Sequence, residues 1–242
     1  MFKRVLIIAA AFLPFITTNA QPPRSAQAVY HQGLAFMSQE KYPDAMASFF
    51  KAVALYKNYD SAWVRMADIN VKFNSFDTAI SFYKKALAIN PKNLQALINI
   101  AAIYKNEKDD VPSALGDYLK AVAIDSTNKE TIALVAWCYN SLKEYDQAVS
   151  YSLKALALDN NYKAAYGELA HAYHLSGKFE EGIEQFKKNI AISPNELPMY
   201  YCGLCYIELK DKVGALSMYD ELTKISSKFA DALKKRIEKM EN

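Results

Sequence analysis

Two short constellations in this sequence could do chemistry. His171 and His174 stand three residues apart, and Glu168 lies three residues before them. On a helix that spacing puts all three on one face. A helical His pair is half of a transition-metal site, which needs further protein ligands. Nothing in the sequence nominates those ligands, so the pair reads first as solvated or packed imidazoles. Cys202-x-x-Cys205 has the spacing of a redox dithiol. Redox use requires the pair at the exposed start of a helix, where a thiolate is stabilised. Here both cysteines fall inside a helical pattern next to Gly203, and Cys is a common small core residue. With Cys138 the chain has three cysteines, too few for a disulfide framework in 242 residues. A metal or redox role at His171/His174 or Cys202/Cys205 stays open as a minor alternative.

Other catalytic patterns are missing. The sequence has no phosphate-cradling glycine loop, no His-Glu-x-x-His, no Gly-x-Ser-x-Gly and no nucleotide fingerprint. There are three histidines in all, and His31 stands alone near the start, so a Ser/His/Asp arrangement is not supported. No catalytic residue, cofactor or metal is assigned, and the chain is read as a non-enzyme.

The elements that position these residues follow from an internal repeat. Tyr42 to Ala52, Phe76 to Ala86 and Tyr145 to Ala155 each carry an aromatic, then Ala three residues on, then Ala seven further. The first small residue recurs at Ala45, Ala79, Ala114, Ala148, Gly182 and Ala215. A second series runs upstream at Gly33, Ala67, Ala101, Ala136, Ala170 and Gly203. Both series step by 33 to 35 residues. Within each unit the apolar residues keep helical spacing, as in Leu97, Ile100, Ala101 and Tyr104. Polar breaks at Asn74-Ser75, Lys105 to Asp110 and Ser176-Gly177 divide each unit into two helices. Pro43 and Pro112 stand where a second helix begins, while Pro91 and Pro194 stand where one must end. Each unit is thus a helical hairpin. Small side chains let its two helices cross closely, and Ala52, Ala86, Ala121 and Ala155 let it pack on its neighbour. Tyr83, Tyr118 and Phe186 fill the space between units. A lone hairpin cannot bury its apolar face, so the units must stack.

The ends and the charge bound the setting. Lys3 and Arg4, the apolar run Val5 to Ile16 and the small residues before Gln21 have the form of a secretory signal peptide over 1–20, cleaved after Ala20. No Cys follows that point, and no other segment is apolar enough to span a membrane. Removal of Lys3 and Arg4 lowers the formal charge from +3 to +1. A near-neutral chain has no electrostatic case for nucleic acid or an anionic membrane. An exported protein, periplasmic or secreted and bacterial, is expected, with no stable membrane insertion after cleavage.

Trp63, Ala67, Ala79, Tyr83, Ala86 and Pro91 stand at the spacings of the 34-residue tetratricopeptide repeat, and the chain resembles that family. The resemblance covers units 26–59, 60–93, 94–128, 129–162, 163–195 and 196–229, with a capping helix at about 228–240. It implies an all-α fold: a right-handed α-solenoid of about six hairpins in one domain over 21–242. Departures fall at Gly182, Asn189 and Leu222, where Ala is usual. Asn189 is expected to need a buried hydrogen-bond partner. The resemblance further implies a concave groove lined by the first helix of each unit, binding another protein or a peptide segment. The family's groove positions fall on Tyr30, Leu34, Val64, Arg65, Asp68, Ile98, Asn99, Trp137, Asn140, Gly167, Glu168, His171, His174, Tyr200 and Tyr201, among others. The Lys and Asn clamp that some relatives use on a cytosolic chaperone is not reproduced: its positions hold Tyr30, Leu34 and Asn99. A scaffold or adaptor is expected. The alternative is a structural subunit, a homo-oligomer joined through its outer face or ends.

Overall fold

The computed structural model describes residues 21–241, so the expected signal peptide and its cleavage site lie outside the described residues. Among these there are thirteen α-helices, one terminal 3-10 turn and no strand. The helices are α1 (Arg24–Ser38), α2 (Tyr42–Leu55), α3 (Asp60–Lys72), α4 (Phe76–Ile89), α5 (Leu94–Glu107), α6 (Val111–Ile124) and α7 (Lys129–Ser141). They continue as α8 (Tyr145–Leu158), α9 (Lys163–Leu175), α10 (Phe179–Ile192), α11 (Glu196–Glu208), α12 (Lys212–Lys224) and α13 (Phe229–Glu238).

The hairpin turns share one device. At each, the first helix ends on a residue of positive φ: Glu40, Asn74, Asp109, Lys143, Gly177 and Lys210. The amide after it reaches back five residues, as Ser75 does to the Asn70 carbonyl (2.8 Å) and Glu144 to that of Tyr139 (2.9 Å), except in the turn with one extra residue, where Asp110 reaches back six to Tyr104 (2.9 Å). This left-handed closure satisfies carbonyls that a helix end would otherwise leave unpaired. Helix starts are capped where the sequence supplies a side chain: Asn93, Asp110, Asn128, Asn195 and Asp211 each accept from a first-turn amide. Asn90 and Ser193, each followed directly by proline, end α4 and α10 in extended backbone.

Where one domain is expected over 21–242, the contacts divide the chain between Tyr59 and Asp60 into two compact units. The first holds the α1/α2 hairpin. Tyr30 stacks on Tyr59 at 4.9 Å and tilts on Phe49 at 5.5 Å, and Phe49 is fully buried against Gly33. The second unit stacks five hairpins from α3 to α12 and closes with α13. Both small-residue series are buried throughout, so within each unit the helix axes approach closely and dispersion contacts accumulate in its core. Tyr83, Tyr118 and Phe186 are buried between hairpins. Leu222, the bulky departure, packs with Leu233 and Ile237 of α13, which buries the last hairpin's open side.

Candidate binding groove

In the second unit α7, α9 and α11 neighbour one another in turn, and they line a pocket of about 870 Å³. Trp137 and Asn140 come from α7, Gly167, Glu168 and His171 from α9, and Leu197, Pro198 and Tyr201 from α11. Phe186 and Asn189 of α10 also line it, and Tyr145 and Tyr162 add two more rings.

Three polar side chains give the pocket its character. Asn140 is 4% exposed and donates from Nδ2 to the Glu168 carbonyl and to Glu168 Oε2, both at 2.9 Å. Asn189 is 3% exposed and donates from Nδ2 to the Lys163 carbonyl at 2.8 Å. This is the buried partner its sequence position calls for. Carbonyl acceptors fix which way both amides point, and the Oδ1 atoms of Asn140 and Asn189 are left buried with no hydrogen-bond partner. Burial pushes the Glu168 carboxyl above the usual carboxylate range, against the opposing pull of Asn140 and of the Lys105 charge. Lys105 reaches in from α5 and holds its ammonium 4.4 Å from the Trp137 ring centroid.

The two histidine rings lie 6.3 Å apart, both beside Tyr201, but their polar contacts differ. His171 lines the pocket and meets Tyr201 edge to face at 5.1 Å. His174 turns to Cys205, with Nδ1 at 3.3 Å from Sγ. Burial lowers the pKa of both rings, and for His171 the charge of His174 adds to it. Among the described residues no group of three or more His, Cys, Asp or Glu side chains is placed to hold a metal. Cys202 and Cys205 are free and fully buried, and burial pushes both thiols up to about 12, which suppresses the thiolate.

Of the positions the sequence nominates, Trp137, Asn140, His171 and Tyr201 meet in this pocket. Asp68 and Asn99 line a smaller one of about 240 Å³, where Tyr83 donates to Asp68 at 2.5 Å and Asn99 donates to Tyr83 at 2.8 Å. Desolvation, with the Asp68 hydrogen bond behind it, raises the Tyr83 pKa far above that of a free phenol. Arg65 pairs with Asp68 at 2.9 Å. Val64 is 3% exposed and belongs to the core, so it offers no accessible surface. Ile98 packs half-buried beside Tyr118, and Tyr200 packs on Phe229 of α13 at 5.0 Å. Tyr30 and Leu34 lie on α1 in the first unit, both half-buried. Gly167 and Glu168 are legible as groove positions. Asn189, Phe186, Tyr145 and Tyr162 are not, because they come from second helices or from the residue before a first helix. The signal for Asn189 is its departure from the alanine series.

Similarity to known proteins agrees with the hairpins. Two sequence models of the tetratricopeptide repeat match this chain, one at 60–93, 130–162 and 164–196 and the other at 9–62. The photosystem I assembly protein Ycf3 of Cyanophora paradoxa is 30% identical over 105 residues, 42% of this chain. The chain spans 60% of that relative's length. A tetratricopeptide repeat protein of Parabacteroides merdae superposes with a TM-score of 0.71 at 18% identity, over 89% of this chain and 86% of that one. YrrB, described as a TPR protein with an unusual peptide-binding site, superposes with a TM-score of 0.68 at 22% identity, over 77% of this chain and 97% of that one. The matched segments together take in more than half of the sequence, and the chain belongs to the tetratricopeptide-repeat family.

Proposed function

We propose that this protein is a non-catalytic scaffold of the cell envelope that holds an extended segment or a helix of a partner protein in the groove along α7, α9 and α11. The family fold itself points to a protein-interaction scaffold. The observation that carries the groove reading is the ring-lined pocket with two unpaired buried acceptors, Asn140 Oδ1 and Asn189 Oδ1. A buried acceptor left alone costs about 1–3 kcal/mol, so a folded protein that keeps two in one pocket gains from a ligand that supplies donors. Large rings such as Trp137 and Tyr201 bring contact area at low entropic cost, as binding hot spots do. A peptide-binding site in a structural neighbour and an N-terminal segment with the form of an export signal support the same reading. The export reading itself is tested by whether the N-terminus of the mature chain begins at Gln21.

Affinity capture from the native envelope tests the groove. The unaltered chain is expected to retain a partner that a Trp137→Ala/Tyr201→Ala variant loses. Equal retention by both moves the binding surface off this face. One observation favours a second reading, self-association near the C-terminal end: Val213 is 80% exposed, and Leu216 lies on the same face of α12 at 40%. A mass that rises with concentration in sedimentation would favour it.

A further inference from the structure

The chemistry of the pocket narrows what can fill it. Its buried layer offers acceptors: the free Oδ1 of Asn140, the free Oδ1 of Asn189 and the carboxylate of Glu168. Both amide Nδ2 groups are already engaged, one on the Glu168 carbonyl and carboxylate and one on the Lys163 carbonyl. So the layer offers three acceptors against one remaining amide N–H, the second hydrogen of Asn189 Nδ2. An incoming carboxylate would face three acceptors. An incoming guanidinium, with five N–H donors in a rigid fork, would satisfy them. The walls suit the same guest, since the rings of Trp137, Tyr162, Tyr201 and His171 line the pocket and a delocalised cation packs well on aromatic rings.

The chain itself already places a cation here. Lys105 sits over the Trp137 ring and acts on Glu168 through its charge. Its one hydrogen bond is to Asn106, at 3.1 Å, and no ion pair joins it to Glu168. It occupies the edge of the site without meeting the acceptors. Lys143 and Lys163 also line the pocket, one exposed and one half-buried. Their long stems let the ammonium groups stay in water while a guest enters.

We propose that this pocket takes a basic side chain, arginine in preference to lysine, from an extended segment of the partner, with its N–H groups on Glu168 and on the free Oδ1 atoms of Asn140 and Asn189. The inference rests on the groove reading above and adds the chemistry of the residue that is gripped. Both Oδ1 atoms are covered in the empty pocket, so the guest displaces neighbouring side chains as it seats. The match is a charge-assisted one, with the carboxylate at a partly desolvated site.

A selection of random twelve-residue peptides displayed on phage against the full chain tests it. Synthetic copies of the winners are then measured by titration. The expected result is peptides that lose binding to Trp137→Ala and that share one arginine at a fixed register, with lysine in its place binding more weakly. Replacing that residue by citrulline, which keeps the shape and removes the charge, should weaken binding roughly ten-fold or more, the size of one charge-assisted hydrogen bond. The same replacement should make little difference on Glu168→Gln, which is near-isosteric and keeps an acceptor for Asn140. Lys105→Met should tighten the arginine peptides several-fold by removing a competing cation, a gain that a damaged fold would not produce. Peptides that need Trp137 but bind equally with citrulline, or that share an acidic residue, overturn the basic-residue inference and leave the groove reading standing. Failure to select any peptide that depends on Trp137 overturns both.

Discussion

Glycine sits at three helix crossings, Gly33, Gly182 and Gly203, and the first two should respond oppositely to the same change. A Cβ placed on Gly33 would lie 2.6, 2.8 and 2.9 Å from three ring carbons of Phe49. Carbon atoms in good contact sit about 3.5–4.0 Å apart, so the ring must move by roughly 1 Å. Phe49 is fully buried and leans on Tyr30, so it has nowhere to go without opening the hairpin. Overpacking of this kind costs about 1–3 kcal/mol, offset by the 0.5–1 kcal/mol that a helical glycine gives back when it becomes alanine. Gly33→Ala should therefore lose about 0.5–2 kcal/mol. At Gly182 the nearest atoms to an added Cβ are the His174 amide nitrogen at 3.4 Å, with the Ala170 carbonyl and Cys205 Sγ at 3.5 Å. These are ordinary contacts, so Gly182→Ala should gain about 0.5–1 kcal/mol, or about 1–4 °C in Tm. Repeat arrays need not unfold in one step. Amide hydrogen exchange in α1–α2 and in α9–α10 should accompany the melts. Protection that moves in the same direction in both variants would refute the reasoning that crossing distance, read from the Cβ contacts, decides which small residue each hairpin needs.

Other outcomes follow from the pocket and the core. Trp137→Ala should leave the helical spectrum intact and cost about 1–2 kcal/mol, the scale of a half-buried side chain, while partner capture is lost; equal losses of stability and binding across unrelated variants would contradict it. Glu168 has a folded pKa raised by burial, so above its unfolded pKa of about 4.3 the native state resists ionisation and stability falls as pH rises. Glu168→Gln should then be the more stable protein at pH 7, with an advantage that shrinks as pH drops toward 4; urea midpoints that differ equally at every pH would sink this. With their thiols at about 12, Cys138, Cys202 and Cys205 should be almost inert to a disulfide reagent at pH 8, where about one in ten thousand is ionised, and all should react in denaturant. Fast labelling of Cys205 in the native protein would instead mean that His174 activates it.

The hairpins were legible because the repeat forces them. Ala67, Ala79 and Ala86 fix three close approaches in one unit, and the same spacing recurs down the chain. The turns were half legible. Gly177 announces a left-handed residue, but Glu40, Asn74, Asp109, Lys143 and Lys210 adopt the same conformation because the closing hydrogen bonds of the turn outweigh the roughly 1 kcal/mol that a side chain costs there. The groove was legible by position and not by depth. Val64 and Trp137 both stand on first helices, yet one is sealed in the core and the other walls a pocket. Position within a repeat says which face a side chain shares; what the next hairpin places over it decides whether that face stays open.

The location of the pocket has a cause in the same repeat. The ring that packs between hairpins is Tyr83 after α3 and Tyr118 after α5, and in the smaller pocket the Tyr83 hydroxyl reaches both Asp68 and Asn99. The corresponding residue after α7 is Ser152, fully buried, with an Oγ that has no partner. Trp137 and Glu168 stand where Asp68 and Asn99 stand two hairpins earlier. With no phenol between them, Asn140 crosses to Glu168 instead. One step further, Asn189 replaces the alanine of its series, and Gly167 lies opposite: a Cβ there would come within 3.3 Å of Asn189 Nδ2. Serine for a ring, asparagine for alanine and glycine for a larger groove residue are each unfavourable for packing alone. Asn189 and Gly167 line the pocket itself, where packing alone gives no reason for either. It follows that restoring the stacking residue should act on binding before it acts on the fold: Asn189→Ala removes the bond to Lys163 and one free acceptor together. That change is expected to leave stability within about 1 kcal/mol, since the alanine it installs is the residue the crossing ordinarily holds, while weakening any ligand that the acceptor holds. A variant that lost far more stability than this and still held its partner would show that Asn189 is there for the hairpin after all.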